Sequence, residues 1–431
     1  MIATVNLLTT TFGSVMRSVG GIALAIVILL VMVTIHEFGH YVAGKLLGFK
    51  INEFSVGFGP ALFKKRSKKS GELFALRIIP LGGYCAFDGE DDDGEEENAK
   101  NNVESEQNEN GEIANGEPFA ELTADASLTK KEEETQNEGG RDETKDVYPE
   151  PKGARFNDQK PWKRIIVLLA GATMNYFLAL VLLLIMFGSY GCIHSYVAYV
   201  GEGEAPPAQE NALSAKDIVL SVDGHDIYLA TDYADALSGK EAGEEIVVEI
   251  LRRDESGAWQ EKTLYLSALV DCEFKSMTQL SIAYEALGLN PDEYVFASVT
   301  LKEGFFKTIG SSFVYSFKIG GTVLRSLGEL ITGRLGLSAM GGPVTTISVT
   351  AQAASGGLLS FLNIAAFIGV NLAVFNLLPI PALDGCKVIF CLIEWIRKKP
   401  VNRKVETMIH FIGIIALFGF AILVDVLQLF W

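Results

Sequence analysis

The stretch VMVTIHEFGHYVAGKLLG, from Val31 to Gly48, ends an apolar run with the pattern His-Glu-x-x-His. On a helix, His36 and His40 lie one turn apart on the same face, so both imidazoles can reach one metal ion. Glu37 projects near the same point, where it can deprotonate a water held by zinc. The pattern therefore predicts a Zn²⁺ centre with two histidine ligands and Glu37 as the catalytic base. A chance helix end, whose polar side chains reach the membrane interface, is the alternative.

The apolar residues of this 431-residue chain are gathered in four blocks, at 21–35, 165–190, 358–383 and 408–431. A helix needs about 20 apolar residues to cross a hydrocarbon core. The last three blocks meet that length directly, and the first does so if its helix continues through the His-Glu pattern. The sequence therefore predicts a polytopic α-helical membrane protein with about four transmembrane helices.

Basic residues indicate the orientation, because they mark the cytoplasmic side of a membrane. The clusters are KKRSKK at 64–69, KPWKR at 160–164 and IRKKPVNRK at 396–404. All three lie on one side if four spans alternate in direction. Both termini and the loop at 191–357 are then outside.

The cytoplasmic loop between the first two spans has two parts. Residues 71–90 alternate in polarity and are predicted to turn at Gly82-Gly83, as a β-hairpin does. Residues 88–150 then hold 23 acidic and 5 basic residues, a net charge of −18, against −17 for the whole chain. Such a composition cannot bury enough apolar surface to fold, so we expect a disordered acidic insertion.

The outside loop is predicted to contain a small extracytoplasmic α+β domain. Short strands surround a helix-like stretch at 231–237, and a strand pair is centred on Ser256-Gly257. Residues 305–331 follow as either a fifth span or an amphipathic helix at the membrane interface. Charged residues in the middle of this segment favour the interfacial helix.

A catalytic zinc needs a third protein ligand and one open position. Ionisable candidates in or near the apolar blocks are His194, Asp384, Glu394, His410 and Asp425. His194 and Asp425 fall at the outer ends, whereas Glu394 and His410 lie beside basic residues. Asp384 follows a break made by two prolines, at about the same distance from the inner basic boundary as His36. Because broken helix at membrane depth is tolerated where it lines a cavity, we expect Asp384 to be the third ligand.

Asn376 lies in the same broken segment. Its amide can donate hydrogen bonds to a developing oxyanion. It can equally satisfy backbone groups that the break exposes, and the residues alone do not separate the two roles.

These residues resemble the site-2 protease family of intramembrane metalloproteases, in its bacterial PDZ-containing branch. The matching motifs are the His-Glu pattern at 36–40, IPLGGY at 79–84, KPWKRIIVLLAGATMN at 160–175, MGGPV at 340–344 and NLLPIPALDG at 376–385. They occur in the family's order and cover most of the chain outside the acidic insertion. The family's Leu-Asp-Gly-Gly is here Leu383-Asp384-Gly385-Cys386, so the metal ligand is intact but the residue two positions after it differs.

The resemblance implies cleavage of a peptide bond within or near the transmembrane segment of single-span proteins, such as anti-sigma factors or remnant signal peptides. It implies that Asn376 and the hairpin residues Gly82, Gly83 and Tyr84 contact the substrate. It also implies a multi-pass protein of the bacterial inner membrane, with its active site toward the cytoplasm and the PDZ-like domain outside. The expected partners are the lipid bilayer and the single-span substrate, with no nucleic acid. The PDZ-like domain can either bind a peptide C-terminus or act as a size filter that excludes bulky external domains, and we predict the filter.

The expected regions follow from these assignments. They are 1–47 (first transmembrane region), 48–88 (cytoplasmic β-hairpin loop), 89–152 (acidic insertion), 153–191 (second transmembrane region), 197–270 (PDZ-like domain), 300–357 (amphipathic interface region), 358–396 (third transmembrane region) and 405–431 (fourth transmembrane helix). A non-enzymatic membrane scaffold and a metal transporter are the competing functions. The full set of catalytic residue types disfavours the scaffold, and the lack of repeat symmetry disfavours the transporter.

Overall fold

The computed structural model describes residues 2–90, 148–336 and 341–428. Its helices are α1 (Ile2–Leu47), α2 (Pro161–Tyr190), α3 (Thr231–Leu237), α4 (Leu280–Ala286), α5 (Phe305–Ile331), α6 (Pro343–Ser355), α7 (Leu358–Leu377), α8 (Asp384–Arg397) and α9 (Arg403–Gln428). Its strands are β1 (Ile51–Arg66), β2 (Leu73–Phe87), β3 (Cys192–Tyr199), β4 (Ile218–Val222), β5 (His225–Asp226), β6 (Glu245–Arg253), β7 (Trp259–Ser267) and β8 (Tyr294–Leu301). The predicted acidic insertion falls almost entirely outside the described residues.

Within the described ranges, four helices are long and apolar enough to cross a membrane: Val19–Leu47, Pro161–Tyr190, Leu358–Leu377 and Arg403–Gln428. The first continues through the His-Glu pattern, as predicted. Helix α5 is not among the four. The third span ends at Leu377 and helix α8 restarts at Asp384, because the two prolines between them supply no backbone N–H to a helix.

Helix α2 is central to the membrane-spanning part, since it packs against α1, α7 and α8. Its buried residues Ala179 and Leu183 share a core with Val370 of α7. The backbones of α1 and α2 approach closely beside the His-Glu pattern. A Cβ atom added to Gly39 would lie 2.8 Å from the carbonyl carbon of Ala170. This approach places the two histidines directly against α2.

Strands β1 and β2 form the hairpin that the sequence analysis expected on the cytoplasmic side, and residues 67–72 join them. Gly82-Gly83 lies within the bounds of β2, but the direction of pairing to β1 reverses along this strand. Residues 73–76 pair in order with 53–56, whereas residues 83–86 pair with the same four in the opposite order. The chain therefore turns between Leu76 and Gly83, in agreement with the turn predicted at Gly82-Gly83. Gly83 also packs against α1, where there is no room for a side chain.

Residues 192–301, named the outer domain after their predicted side, form a six-stranded sheet in the order β7-β6-β4-β3-β8, with β5 paired to β4. Its helix α3 and the β6–β7 pair around Gly257 lie where the sequence predicted them. Strand β8 pairs with β3 along its whole length, from Tyr199–Tyr294 to Cys192–Leu301. The sheet therefore spans 192–301 and is longer than the expected 197–270, because this late strand returns to the first one.

Helix α5 connects the outer sheet to the membrane-spanning helices. Tyr315 and Ile319 are buried in the core shared with α2 and α7. Phe306 and Phe317 are exposed by 86% and 68%. Lys318 of α5 forms an ion pair with the outer domain, in which its Nζ lies 3.0 Å from Asp232 Oδ2. The helix is therefore amphipathic, with one packed face and one exposed aromatic face.

Candidate metal centre

Three side chains from two distant segments converge at one point. His36 Nε2 and His40 Nε2 lie 3.0 and 3.2 Å from Asp384 Oδ2, and the two Nε2 atoms are 3.1 Å apart. The pair comes from one turn of α1, whereas Asp384 is the first residue of α8. Both histidines are buried. The structure thus brings together the three predicted ligands, and they form a group able to hold a metal ion.

The spacing and burial of these three atoms fit a metal better than hydrogen bonding. Ligand atoms about 2.0–2.1 Å from a tetrahedral Zn²⁺ lie about 3.3 Å from one another, close to the observed separations. Asp384 Oδ2 is buried and has no hydrogen-bond partner among the described residues. Nδ1–H of His40 donates to the Val167 carbonyl at 2.8 Å, which leaves a lone pair on Nε2. Lone pairs that face one another in a buried site are stabilised by a cation.

Helix α2 makes the room that the two imidazoles need. A Cβ atom on Gly171 would lie 2.6 Å from His40 Cε1 and 2.7 Å from His36 Cε1. No side chain other than hydrogen fits this position without moving a ring. Gly171 therefore permits the close packing of α2 on the candidate centre.

His36 has two amide side chains beside its second ring nitrogen. Asn175 Nδ2 lies 3.4 Å from His36 Nδ1, and Asn376 Nδ2 lies 3.3 Å from the same atom. The structure therefore brings Asn376, a predicted substrate contact, directly to the candidate centre. It also brings Asn175, the last residue of the motif at 160–175, beside the same nitrogen.

Strand β2 passes beside the predicted base. A Cβ atom on Gly83 would lie 3.3 Å from Glu37 Cγ and 2.8 Å from the Ser55 carbonyl oxygen. Gly82 has φ 112°, a conformation that favours glycine, and the Phe58 ring packs against it. Gly83 therefore allows the strand to lie close to α1 beside Glu37, and Gly82 leaves room for the Phe58 ring.

Tyr84, the third hairpin residue predicted to bind substrate, uses its hydroxyl within the hairpin. The hydroxyl donates to Glu53 Oε1 at 2.9 Å and accepts from Arg77 Nη2 at 2.7 Å. Burial and the bond to the Glu53 carboxylate raise the pKa of the Tyr84 phenol. The tyrosine hydroxyl therefore stabilises the hairpin itself, while Gly83 is the hairpin residue that lies beside the predicted base.

The segment before Asp384 is held from two sides. Ala382 has φ 84°, unusual for a residue with a side chain, and its N–H donates to His410 Nδ1 at 3.1 Å. A Cβ on Gly385 would lie 2.5 Å from the Leu377 carbonyl carbon. The first glycine of the motif is thus sterically required, and the departure at Cys386 is accommodated as a buried side chain.

The remaining ionisable candidates have partners elsewhere. Glu394 accepts from Arg164 Nη1 at 2.5 Å and lies 2.9 Å from Arg403 Nη2, so an ion pair accounts for it, as predicted. Asp425 Oδ2 accepts from the Val344 N–H at 3.2 Å, at the start of α6. His194 lies in β3 of the outer domain. Asp384 is the candidate that joins the two histidines.

The profile of peptidase family M50 matches residues 24–420. The chain belongs to peptidase family M50. This M50 protein is 29% identical over 416 residues to the regulator of sigma-W protease RasP of Bacillus subtilis, a match covering 90% of this chain and 93% of the relative. It is 27% identical over 413 residues to the zinc metalloprotease RasP of Bacillus licheniformis, covering 89% and 92% of the two chains. It is 26% identical over 434 residues to the zinc metalloprotease RasP of Oceanobacillus iheyensis, covering 93% and 97%.

Membership of M50 confirms the resemblance to the site-2 protease family. This M50 protein is a zinc metalloprotease, and its four apolar helices make it a membrane protein. The competing functions of scaffold and metal transporter are thereby set aside. The PDZ-like branch and the orientation in the membrane stay predictions.

Sequence reasoning did not find two features of the centre. One is the Val167 carbonyl, a backbone group that no residue pattern can reveal. The other is the place of Asn175 beside His36. A signal for Asn175 did exist, since it is a polar amide inside the charge-free block 165–190, where an unpaired polar group is costly.

Proposed function

We propose that this M50 protease hydrolyses a peptide bond within or near the transmembrane segment of single-span membrane proteins. One observation carries the proposal: two histidines of spanning helix α1 meet Asp384 of α8, and the adjacent Glu37 lies directly beside strand β2. A hydrolytic site needs an apolar surrounding only if the peptide bond that it cleaves lies in the bilayer. Hydrolysis there requires polar groups and water at a depth that lipid excludes.

We assign His36, His40 and Asp384 as zinc ligands and Glu37 as the catalytic base. When bound, Zn²⁺ lowers the pKa of water and polarises a carbonyl oxygen. Glu37 takes a proton from the attacking water and then delivers it to the leaving amine nitrogen. Its position one residue after His36 keeps the carboxylate within reach of a group that both histidines face. Asn376 is assigned to donate its amide N–H to the substrate carbonyl oxygen.

Strand β2 is proposed to hold the substrate in an extended form. A transmembrane helix protects its carbonyls with its own hydrogen bonds, so cleavage requires local unwinding. Pairing with a strand replaces those bonds without reading side chains. Gly83 allows this strand to come beside Glu37, Gly82 leaves room for the Phe58 ring, and the Tyr84 hydroxyl stabilises the hairpin through Glu53.

The substrate class is proposed from relatives. The Bacillus subtilis relative is named a regulator of sigma-W protease. By this likeness, an anti-sigma factor that has lost most of its external part is the proposed substrate, with remnant signal peptides as the second class. The basic clusters at 64–69, 160–164 and 396–404 support a bacterial inner-membrane orientation with the active site toward the cytoplasm.

The region assignments become proposals with one change of boundary. Residues 1–47, 153–191, 358–396 and 405–431 are the spanning regions, 48–88 the cytoplasmic hairpin, 89–152 an acidic insertion and 300–357 the interfacial region. The extracytoplasmic PDZ-like domain is extended from 197–270 to the sheet at 192–301. The exposed Phe306 and Phe317 support helix α5 lying in the membrane interface.

The test is cleavage of a single-span model substrate by wild type and by Glu37→Gln, each with its zinc content measured. The variant should keep zinc and lose at least about 100-fold in kcat, because the general base contributes on the order of 10²–10⁴. Cleavage by Glu37→Gln at the wild-type rate would remove Glu37 from the mechanism. Loss of zinc from wild type together with retained cleavage would remove the metal assignment.

We further propose that the PDZ-like domain acts as a size filter rather than a binder of peptide C-termini. The Val200 N–H donates to the Glu293 carbonyl at 2.7 Å, so the chain enters and leaves the domain at one point. A variant with residues 201–292 replaced by a two-residue turn should cleave a substrate that keeps its external domain and that wild type rejects. Equal cleavage, by both proteins, of a substrate without its external domain controls for folding. Continued rejection of the substrate that keeps its external domain would contradict the filter.

A further inference from the structure

Zinc ligation by His36 Nε2 determines the protonation of the other ring nitrogen, Nδ1. A neutral imidazole carries one proton, so a lone pair on Nε2 requires the proton to be on Nδ1. Metal-binding histidines almost always donate this second N–H to a carbonyl, a carboxylate or a water. His40 donates its Nδ1–H to the Val167 carbonyl. His36 needs an acceptor of its own.

The described groups beside His36 Nδ1 that can serve are two carboxamides. Asn175 Nδ2 is at 3.4 Å and Asn376 Nδ2 at 3.3 Å. Two amide nitrogens cannot both face a ring N–H, since all three groups are donors. At least one carboxamide must therefore turn its oxygen toward His36. A half-turn about the last side-chain bond exchanges oxygen and nitrogen in nearly the same space.

The two amides differ in burial, and this difference indicates which of them accepts the hydrogen bond from His36. Asn175 is only 1% exposed, and its Oδ1 has no hydrogen-bond partner among the described residues. A buried amide oxygen left without a donor is costly. Turning Asn175 Oδ1 toward His36 satisfies the oxygen and the ring N–H together. Asn376 is half-buried, so its amide can reach a bound substrate.

Asn175 also continues a regular arrangement along α2. Val167, Gly171 and Asn175 are four residues apart and lie on one face of the helix. The Val167 carbonyl supports His40, Gly171 makes room for both rings, and Asn175 lies beside His36. One stripe of α2 therefore contacts both histidines.

We propose that Asn175 is the positioning residue for His36: its Oδ1 accepts the Nδ1–H and directs Nε2 toward zinc, which leaves Asn376 free for substrate. This inference rests on the proposed zinc site and deepens it. It divides two neighbouring asparagines into different roles, one toward the metal ligand and one toward the peptide.

The experiment compares wild type with Asn175→Leu, Asn175→Asp and Asn376→Leu. Leucine keeps the approximate shape and removes the acceptor, whereas aspartate keeps an acceptor oxygen. Zinc affinity is measured by competition with a chelator, and melting of the zinc-free proteins reports on folding. Asn175→Leu should lose about 10–100-fold in zinc affinity, as outer-shell partners do when removed. Asn175→Asp should recover most of it, and Asn376→Leu should bind zinc like wild type but cleave slowly.

The outcomes separate the inference from the proposed function. If wild type binds no zinc, the metal site itself fails. If wild type binds zinc and Asn175→Leu binds it equally well, Asn175 does not position His36. Loss of affinity in Asn376→Leu alone would exchange the two roles and overturn the inference. Equal loss in the Leu and Asp variants would show that packing, not the acceptor, matters at Asn175. Should Asn175→Leu fail to fold, Asn175→Ala takes its place in the same comparison.

Discussion

Substitution of Gly171 by alanine should strongly weaken zinc binding at the candidate centre. The new Cβ would lie 2.6 Å from His40 Cε1 and 2.7 Å from His36 Cε1. Carbon atoms in contact prefer about 3.5 Å, so the rings must move apart from α2 by about 0.8 Å or more. Metal–ligand distances tolerate about 0.2 Å. We therefore expect a loss of at least about 100-fold in zinc affinity, or about 2.7 kcal/mol.

A matched control is available on the same helix. A Cβ on Gly188 of α2 would meet no atom within 4 Å, so Gly188→Ala makes the same change where space is open. Alanine is favoured over glycine in a helix by about 1 kcal/mol, so this variant should keep zinc and melt no lower than wild type. Zinc affinity by chelator competition and cleavage of a single-span substrate are the assays. A Gly171→Ala protein with wild-type zinc affinity would refute the assignment of the metal to these two rings.

Three further results are expected. Gly83→Val should keep zinc but lose cleavage, because its side chain would collide with Glu37; a zinc-binding variant that cleaves normally would contradict the placement of β2 at the base. Glu394→Leu leaves Arg164 buried beside its lost partner and should lower stability by about 3–5 kcal/mol, measured by thermal unfolding against wild type. Burial lowers the pKa of His194 from its ordinary 6.5, so the stability it contributes is present above pH 6.5 and is lost as pH falls through the lowered value. The melting temperature should therefore drop below pH 6.5 in wild type and drop less in His194→Asn; parallel curves would rule out His194 as the cause.

The candidate metal ligands were predictable because each one broke a local rule. His36 and Asp384 are polar groups in apolar blocks, and their distances from the basic boundary agreed. The structure brings His36 Nε2 and Asp384 Oδ2 within 3.0 Å of each other. The free-energy cost of a polar side chain in an apolar span depends on residue type and on the surrounding composition, so the sequence alone indicates it. A residue that carries this cost is expected to have a function.

The features that the sequence did not reveal have a different origin. Paired glycines have two physical uses, turning the chain and admitting a close neighbour. The sequence indicated the turn before Gly83, whereas the packing of α1 on this glycine depends on the assembled fold. The short domain boundary has the same kind of cause. The return of β8 to β3 depends on pairing between residues about 100 positions apart. Such pairing is decided by the assembled fold rather than by any window of sequence.

The distance along the chain between the candidate ligands has a consequence for biogenesis. His40 and Asp384 are separated by 344 residues (384 − 40), and Asp384 follows the third of the four spans. A ribosome-bound chain that has inserted only two spans holds both histidines but not the carboxylate. Two ligands bind Zn²⁺ far more weakly than three, so the nascent protein is kept inactive while other newly inserted helices surround it. Proteolytic competence therefore begins only after the third span and Asp384 have been inserted.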